Sequence, residues 1–380
     1  MAPARSPLAD IPIVDGHCHA PLRPPRPTNE VELLGLFTES RDPRQIDAHV
    51  PHTLYVQRAL RDLAVFYNCL PRIDAVLTAR GALAPAELIG RCVERADVRV
   101  LVVDGGYRTA ESYAVAELDA LLPADCRALP LLRVEPLLED LLASSTSFAA
   151  LEDAFAVALG ELRAAGYVGL KTIVAYRSGL ALGPPDRQAA AAAYAALRAT
   201  ARAGPVRLTS KPLLDYFLGR AFAAAGRERL PVQVHTGFGD ADLDLLQANP
   251  LLLRPALEAG AFAGAPLVLL HCYPYLREAG YLASLYADVY VDLSLSVPLL
   301  GPGCQRAVEE ALELASPTKV LYGSDAAGLA ESIWLGAVAI RRALDAALGA
   351  WLRAGALTAG QAERLAEQVL HANAGALYGL

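Results

Sequence analysis

The sequence predicts an α/β fold, a (β/α)8 barrel, and three observations carry that expectation. Eight short apolar runs recur along the 380 residues, around 11–14, 98–104, 128–135, 167–174, 231–235, 266–271, 288–293 and 319–324. Most are continuous rather than alternating, as parallel strands covered on both faces should be. Ala/Leu/Arg-rich segments with helical spacing lie between them, such as 149–165, 186–203 and 212–226. Strand-then-helix repeated eight times argues for closure into a barrel. Chemistry-bearing side chains stand at the C-terminal ends of the runs, and in such a barrel those ends open on one face.

The first run, Ile11-Pro-Ile-Val-Asp-Gly-His-Cys-His19, ends in His-x-His. Side chains on a strand alternate between faces, so His17 and His19 point one way and Cys18 the other. Residues 20 to about 95 are too many for a βα loop. They begin with a proline-stiffened connection, contain a helix over 53–70, and read as a helical insertion over the active-site mouth, either a lid or a dimer contact. His49 and His52 fall in this insertion, where surface or capping roles are expected. The third run ends at Arg133 and Glu135, which are expected to pair with each other or to face substrate. The fourth leads into Lys171 and then Arg177. The fifth ends at His235, followed by Asp240, Asp242 and Asp244, with Asp242 suited to a helix N-cap. The sixth ends at His271, followed by Tyr273, Tyr275 and Arg277, and the eighth ends at Asp325. Residues 331–380 read as helices that finish the barrel wall, with His371 packed on the last. The whole, 1–380, reads as a single domain.

Imidazoles converging from strand ends are natural ligands for a borderline-soft divalent metal such as zinc. His17, His19, His235 and Asp325 form the expected ligand set, with a position left open for water whose pKa binding lowers to about 7. Asp325 is then the candidate general base, taking a proton from water and returning it to a leaving amine. His271 is a ligand of a second metal or a group that polarises a substrate carbonyl. Arg177 is positioned to clamp a carboxylate or to form a surface ion pair. Tyr273 and Asp240 are candidates for contact with substrate.

Composition narrows the partners. Apolar residues make up 54% and charged residues 20%, with a formal net charge of −7 and no block of Lys or Arg. Nucleic acid and anionic membrane surfaces are therefore not expected partners. No apolar stretch is long enough to span a bilayer, and the first residues lack the apolar core of a secretory signal. The six cysteines have no CxxC spacing and read as reduced, buried thiols. A cytoplasmic protein acting on a small molecule is expected, with homo-oligomerisation open.

Four stretches resemble the amidohydrolase superfamily, and within it the amidohydrolase-2 group: Gly169-Leu-Lys-Thr-Ile-Val-Ala-Tyr-Arg-Ser-Gly-Leu180, Val234-His-Thr-Gly-Phe-Gly-Asp240, His271-Cys-Tyr-Pro-Tyr-Leu-Arg-Glu-Ala-Gly-Tyr281 and Leu321-Tyr-Gly-Ser-Asp325. The likeness is to the N-terminal amidohydrolase half of FluG-like and nodulin/glutamine-synthetase-like proteins, and it runs from about 10 to 380. The glutamine-synthetase half that often follows in that family is absent here, so its activity is not expected. The resemblance implies a TIM barrel of the metal-dependent hydrolase type, holding one or two divalent ions. It also implies a role for Lys171, because related enzymes carboxylate a lysine so that the carbamate bridges two metals. The alternatives for Lys171 are a cation set back from the metal to bind a substrate carboxylate, or a lysine snorkelling at the barrel rim. The expected reaction is hydrolysis of a C–N bond in an amino-acid-like amide, such as a γ-glutamyl amide. A metal-dependent decarboxylase and a non-catalytic regulatory protein on the same fold are the rival readings.

Overall fold

In the computed structural model, which describes residues 7–24, 27–107, 110–200 and 207–380, the apolar runs form eight parallel strands. These are β1 (Ile13–Cys18), β2 (Val98–Asp104), β3 (Arg127–Arg133), β4 (Gly169–Thr172), β5 (Val232–His235), β6 (Leu267–Leu270), β7 (Val289–Asp292) and β8 (Val320–Leu321). They pair in chain order, each parallel to the next. β8 returns to β1 through Gly16 N–H to the Tyr322 carbonyl at 2.9 Å and Asp325 N–H to the His17 carbonyl at 2.8 Å. The architecture is the (β/α)8 barrel that the runs predict.

Alternation sorts each strand into an outer and an inner row. Val232 and Val234, Leu267 and Leu269, and Val289 and Val291 pack outward against the helices. Val14, Val102, Leu131, Val268, Leu270 and Leu321 form a separate apolar cluster inside the barrel. That cluster includes Ala374 and Tyr378 of the helix Asn373–Tyr378, so the chain's last helix plugs the barrel floor rather than extending its wall. Tyr378 Oη accepts from Gln233 Nε2 at 2.6 Å. With the floor sealed, solvent reaches the interior from the C-terminal ends of the strands.

Three boundaries differ from the sequence expectation in ways that matter for the site. β1 runs on to Cys18, and its register with β2 shifts between Asp15 and Cys18. The shift lets Val14 face the sealed floor and His17, three residues later, face the opposite end of the interior, as a bulge does. β3 stops at Arg133, and the helix Val134–Ser144 begins at once, so Glu135 sits in a first helical turn. β8 is only two residues long, because the chain then leaves the ladder to carry Ser324 and Asp325 across the barrel mouth.

The segment after β1 holds five helices: Glu30–Gly35, Pro43–Ala48, Leu54–Tyr67, Ile73–Gly81 and Pro85–Ala96. The first four share a small core of Leu33, Leu34, Phe37, Val56, Leu63 and Val76 with Leu329 and Leu335. The fifth differs from the expected insertion: Leu88, Ile89, Cys92 and Val93 pack into the main core as a wall helix. The buried carboxylate of Glu331 ties this segment to the barrel, accepting from Tyr67 Oη at 2.5 Å and Arg80 Nε at 2.7 Å. His49 and His52 are exposed, and all six cysteines are free. Among the described residues no helix is long and apolar enough to cross a membrane.

Candidate metal centre and active site

The strand ends and the first helices of the insertion enclose a cavity of about 270 Å³. His19, Lys171, His235, His271 and Asp325 line it, together with Arg177 and Asp240 from the sequence expectation. His17 lies just beneath, fully buried. Among the described residues, one set of potential metal ligands converges: His17, His19 and Asp325, with ligand atoms all within 4.8 Å of one another. Asp325 Oδ1 lies 3.1 Å from His17 Nε2 and 3.3 Å from His19 Nε2. His17 Nε2 and Asp325 Oδ1 are nevertheless buried without a hydrogen-bond partner. Polar atoms in that state are costly unless something else binds them, and two imidazoles with a carboxylate are a donor set that zinc and similar ions accept.

Local geometry explains why these side chains meet. Asp325 has φ of +49° and His271 φ of +68°, left-handed conformations that cost a non-glycine residue free energy. Positive φ at His271 breaks the strand alternation: Leu270 already faces the interior, yet His271 still reaches the cavity. Asp325 is held from behind, because Asp15 Oδ1 accepts from Ser324 N–H at 2.8 Å and the His17 carbonyl accepts from Asp325 N–H. His19 Nδ1 lies 3.0 Å from the Asp104 carbonyl, which turns its Nε2 toward Asp325.

Charge states follow from burial and neighbours. Burial, aided by the charge of Lys171, lowers His17 to about 4. Burial also holds His235 and His271 well below the usual imidazole value, so these rings are neutral near pH 7. Burial pushes Asp325 upward, but His271, His17 and His19 around it outweigh that and keep it ionised. Lys171 is 1% exposed and burial lowers it to about 8, although Asp104 pulls it the other way. The rim-snorkelling reading of Lys171 is therefore excluded: β4 delivers it to the barrel interior.

The tautomer of His271 is set when Asp292, which burial pushes up to about 7, is ionised. Ser294 Oγ donates its single proton to Asp292 Oδ1, which also accepts from Ser294 N–H at 2.9 Å. The hydroxyl can then only accept from His271 Nδ1, 2.9 Å away. His271 thus carries its proton on Nδ1 and presents an Nε2 lone pair, which suits a base or a ligand and not a proton-donating electrophile.

Other expectations meet different outcomes. His235 does not join the convergent trio: its Nε2 lies 3.2 Å from the Phe238 carbonyl and its ring packs against Tyr176 and His271, with centroids at 4.6 and 4.5 Å. Gly239 permits this packing, since a Cβ there would lie 1.9 Å from Tyr176 Oη. Arg133 and Glu135 do not pair, and of the two Arg133 lines the cavity, the other placement expected of them. Arg133 Nε donates to both oxygens of Asp104, at 3.0 and 2.9 Å, while Glu135 accepts from Thr172 Oγ1 and Ile173 N–H. Tyr273 is not among the cavity-lining residues, and its ring packs on Phe238. Tyr275 donates to the Leu245 carbonyl, and Arg277 pairs with Glu313 on the surface. Asp244, not Asp242, caps the following turn by accepting from Leu246 N–H, and Asp242 pairs with Arg207. Asp104, Tyr176, Asp292, Ser294, Glu39 and Arg41 were not anticipated. Asp104 and Asp292 end strands, so the strand-end rule reaches them; Glu39 and Arg41 sit in irregular chain that carries no such signal.

Comparison with known proteins places this geometry. The family model described as Amidohydrolase matches residues 134–380. The chain is 33% identical over 223 residues to protein fluG of Emericella nidulans, which is 56% of this chain and 26% of that protein. It therefore spans about a quarter of the length of that curated relative. A candidate metal-dependent hydrolase from Lactobacillus casei superposes with a TM-score of 0.88 at 30% identity, covering 98% of this chain and 96% of the other. Uronate isomerase of Thermotoga maritima, with a TM-score of 0.67 at 14% identity over 97% and 95% of the two chains, shares the fold. With its strand-end histidines and aspartate on a closed parallel barrel, the chain belongs to the amidohydrolase family.

Proposed function

We propose that this protein is a metal-dependent hydrolase that cleaves the C–N bond of a small amino-acid-like amide, a γ-glutamyl amide in the first instance. One observation carries the reading: His17 Nε2 and Asp325 Oδ1 are buried and unpartnered at the floor of an open cavity, with His19 Nε2 beside them. A divalent ion held by His17, His19 and Asp325, zinc being well matched to these donors, supplies a Lewis acid for a carbonyl oxygen and acidifies water. The rest is done by side chains. Asp325, ionised and facing the cavity, takes the proton from the attacking water and returns it to the leaving amine. His271 offers a lone pair that can accept a proton or bind an ion. Arg177 lines the wall and binds a substrate carboxylate through its fork of donors.

The test is a metal analysis of purified protein followed by product assays on γ-glutamyl amides. Bound divalent ion, with free amine and glutamate as products, is expected. Activity that survives strong chelation in protein without bound ion would overturn the reading. Release of carbon dioxide from an aromatic or unsaturated acid, with no amide cleaved, would transfer the case to a decarboxylase. The same analysis decides Lys171: two ions per chain fit a bridging carbamate, and one ion fits an amine that holds substrate.

A further inference from the structure

Three carboxyl groups that the proposed reaction does not use line the cavity, and one of them, Asp242, is paired with Arg207. Glu39 comes from the chain between the helices Glu30–Gly35 and Pro43–Ala48, and Asp240 from the loop after β5; both line the cavity. Arg41 donates to Asp240 Oδ2 at 2.9 Å from the solvent side, where its own side chain is 66% exposed. Asp240 N–H donates to Tyr176 Oη at 3.1 Å. Burial, with Asp325 and Asp240 close by, pushes Glu39 up to about 8, and a cation in the cavity would relieve that.

A second observation at the same cavity points to a ligand. The Arg177 side chain is 9% exposed and spends Nη2 on Glu139 at 3.2 Å. Its Nε and Nη1 are buried with no hydrogen-bond partner. Guanidinium nitrogens left in that state are costly, and a planar carboxylate satisfies two at once. Tyr176 links the two places, since its hydroxyl meets Asp240 and its chain neighbour is Arg177.

We propose that Glu39 and Asp240 form an ammonium subsite and Arg177 a carboxylate subsite, so that the cavity grips its substrate by an α-amino-acid end. An α-amino acid carries both charges on one carbon, which requires both subsites to open on one cavity, as Glu39, Asp240 and Arg177 do. Because Glu39 belongs to the segment inserted after β1 and Asp240 to the loop after β5, selection for the amine is shared between that segment and the barrel, and the chemistry resides in the barrel. The inference rests on the amidohydrolase reading for the bond that is cut, but its binding step stands apart from turnover.

Calorimetric titration of the metal-loaded protein with L-glutamate and with glutarate, which differ only in the ammonium group, tests it. Wild type should bind glutamate about tenfold or more tighter than glutarate, since a site built around a charged group discriminates against the analogue that lacks it. Glu39→Gln should bring that ratio close to one with glutarate affinity retained, and Asp240→Asn should do the same. Arg177→Gln should weaken both ligands. Equal affinities in wild type, no glutamate binding, or an unchanged ratio in variants shown to be folded by circular dichroism would overturn the subsite. A glutamate preference without any amide cleavage would instead sink the assigned reaction and leave the subsite standing.

Discussion

Replacing His17 with alanine should remove most of the stabilisation that zinc confers on the folded chain. His17 Nε2 is one of three converging ligand atoms and lies 3.1 Å from Asp325 Oδ1. An ion present at a hundredfold excess over its dissociation constant, and bound only by the folded state, stabilises by about 2.7 kcal/mol. Unfolding entropy of about 2.1 cal/mol/K per residue, over 380 residues, gives roughly 0.8 kcal/mol/K, so that stabilisation corresponds to a rise in Tm of about 3 °C. Loss of even an outer-shell partner weakens metal binding by about 10–100-fold, and loss of a direct ligand should do at least as much. A hundredfold weakening at the same zinc concentration leaves about 0.4 kcal/mol, a shift near 0.5 °C. Chelator-stripped wild type and His17→Ala are compared by scanning calorimetry with and without zinc. His52→Ala serves as a control, since His52 is an exposed histidine of the inserted segment and should retain the full shift. If folded His17→Ala rises as far as wild type, the ion binds elsewhere. If no divalent ion stabilises wild type, the metal centre itself is refuted.

Three further outcomes are expected. Ser294→Ala releases His271 from its single tautomer, and turnover should fall about 10–100-fold in steady-state kinetics while the circular dichroism spectrum is unchanged. Asp325→Asn removes the proton acceptor, and kcat should fall by roughly 10²–10⁴-fold, with residual metal quantified on the same sample. Because the folded chain holds His17 near 4 instead of 6.5, the stability gained by keeping it neutral is complete above pH 6.5 and lost as pH falls toward 4. Denaturant titrations of metal-free protein at pH 7 and 5 should therefore show His17→Gln losing less stability than wild type, by on the order of 2 kcal/mol.

The parts of this site that were legible in the sequence follow from local rules. Strand alternation puts His17 and His19 on one face, and the common opening of a parallel barrel brings Lys171, His235, His271 and Asp325 to one end. What stayed hidden depends on geometry that alternation does not encode. The positive φ at His271 redirects a side chain that alternation alone would send into the helix layer. The pairing of Arg133 with Asp104 across adjacent strands, in place of the nearer Glu135, reflects where β3 ends and the next helix begins. Tyr378 reaches the barrel floor from the far end of the chain, and no periodicity in residues 373–378 distinguishes a plug from a wall helix. Glu39 and Arg41 lie between two six-residue helices, where side-chain direction is set by tertiary packing alone.

The strained positions and the buried acids belong to one arrangement. Left-handed backbone at Asp325 and His271 costs on the order of 1–3 kcal/mol each and persists only when the surroundings over-determine it. At Asp325 the surroundings are Asp15, which binds Ser324 N–H, and the His17 carbonyl, which binds Asp325 N–H. At His271 they are Ser294 on the ring and Ser296 Oγ on the carbonyl, with Asp292 behind Ser294. Burial pushes Asp15 and Asp292 up to about 7. Each of these acids sits one step behind a residue of the site, oriented by a backbone N–H group, and neither lines the cavity. The sealed apolar floor beneath them excludes water that could otherwise compete for those hydrogen bonds. Asp325 and His271 are thus fixed before an ion or substrate arrives, and binding energy need not be spent on orienting them.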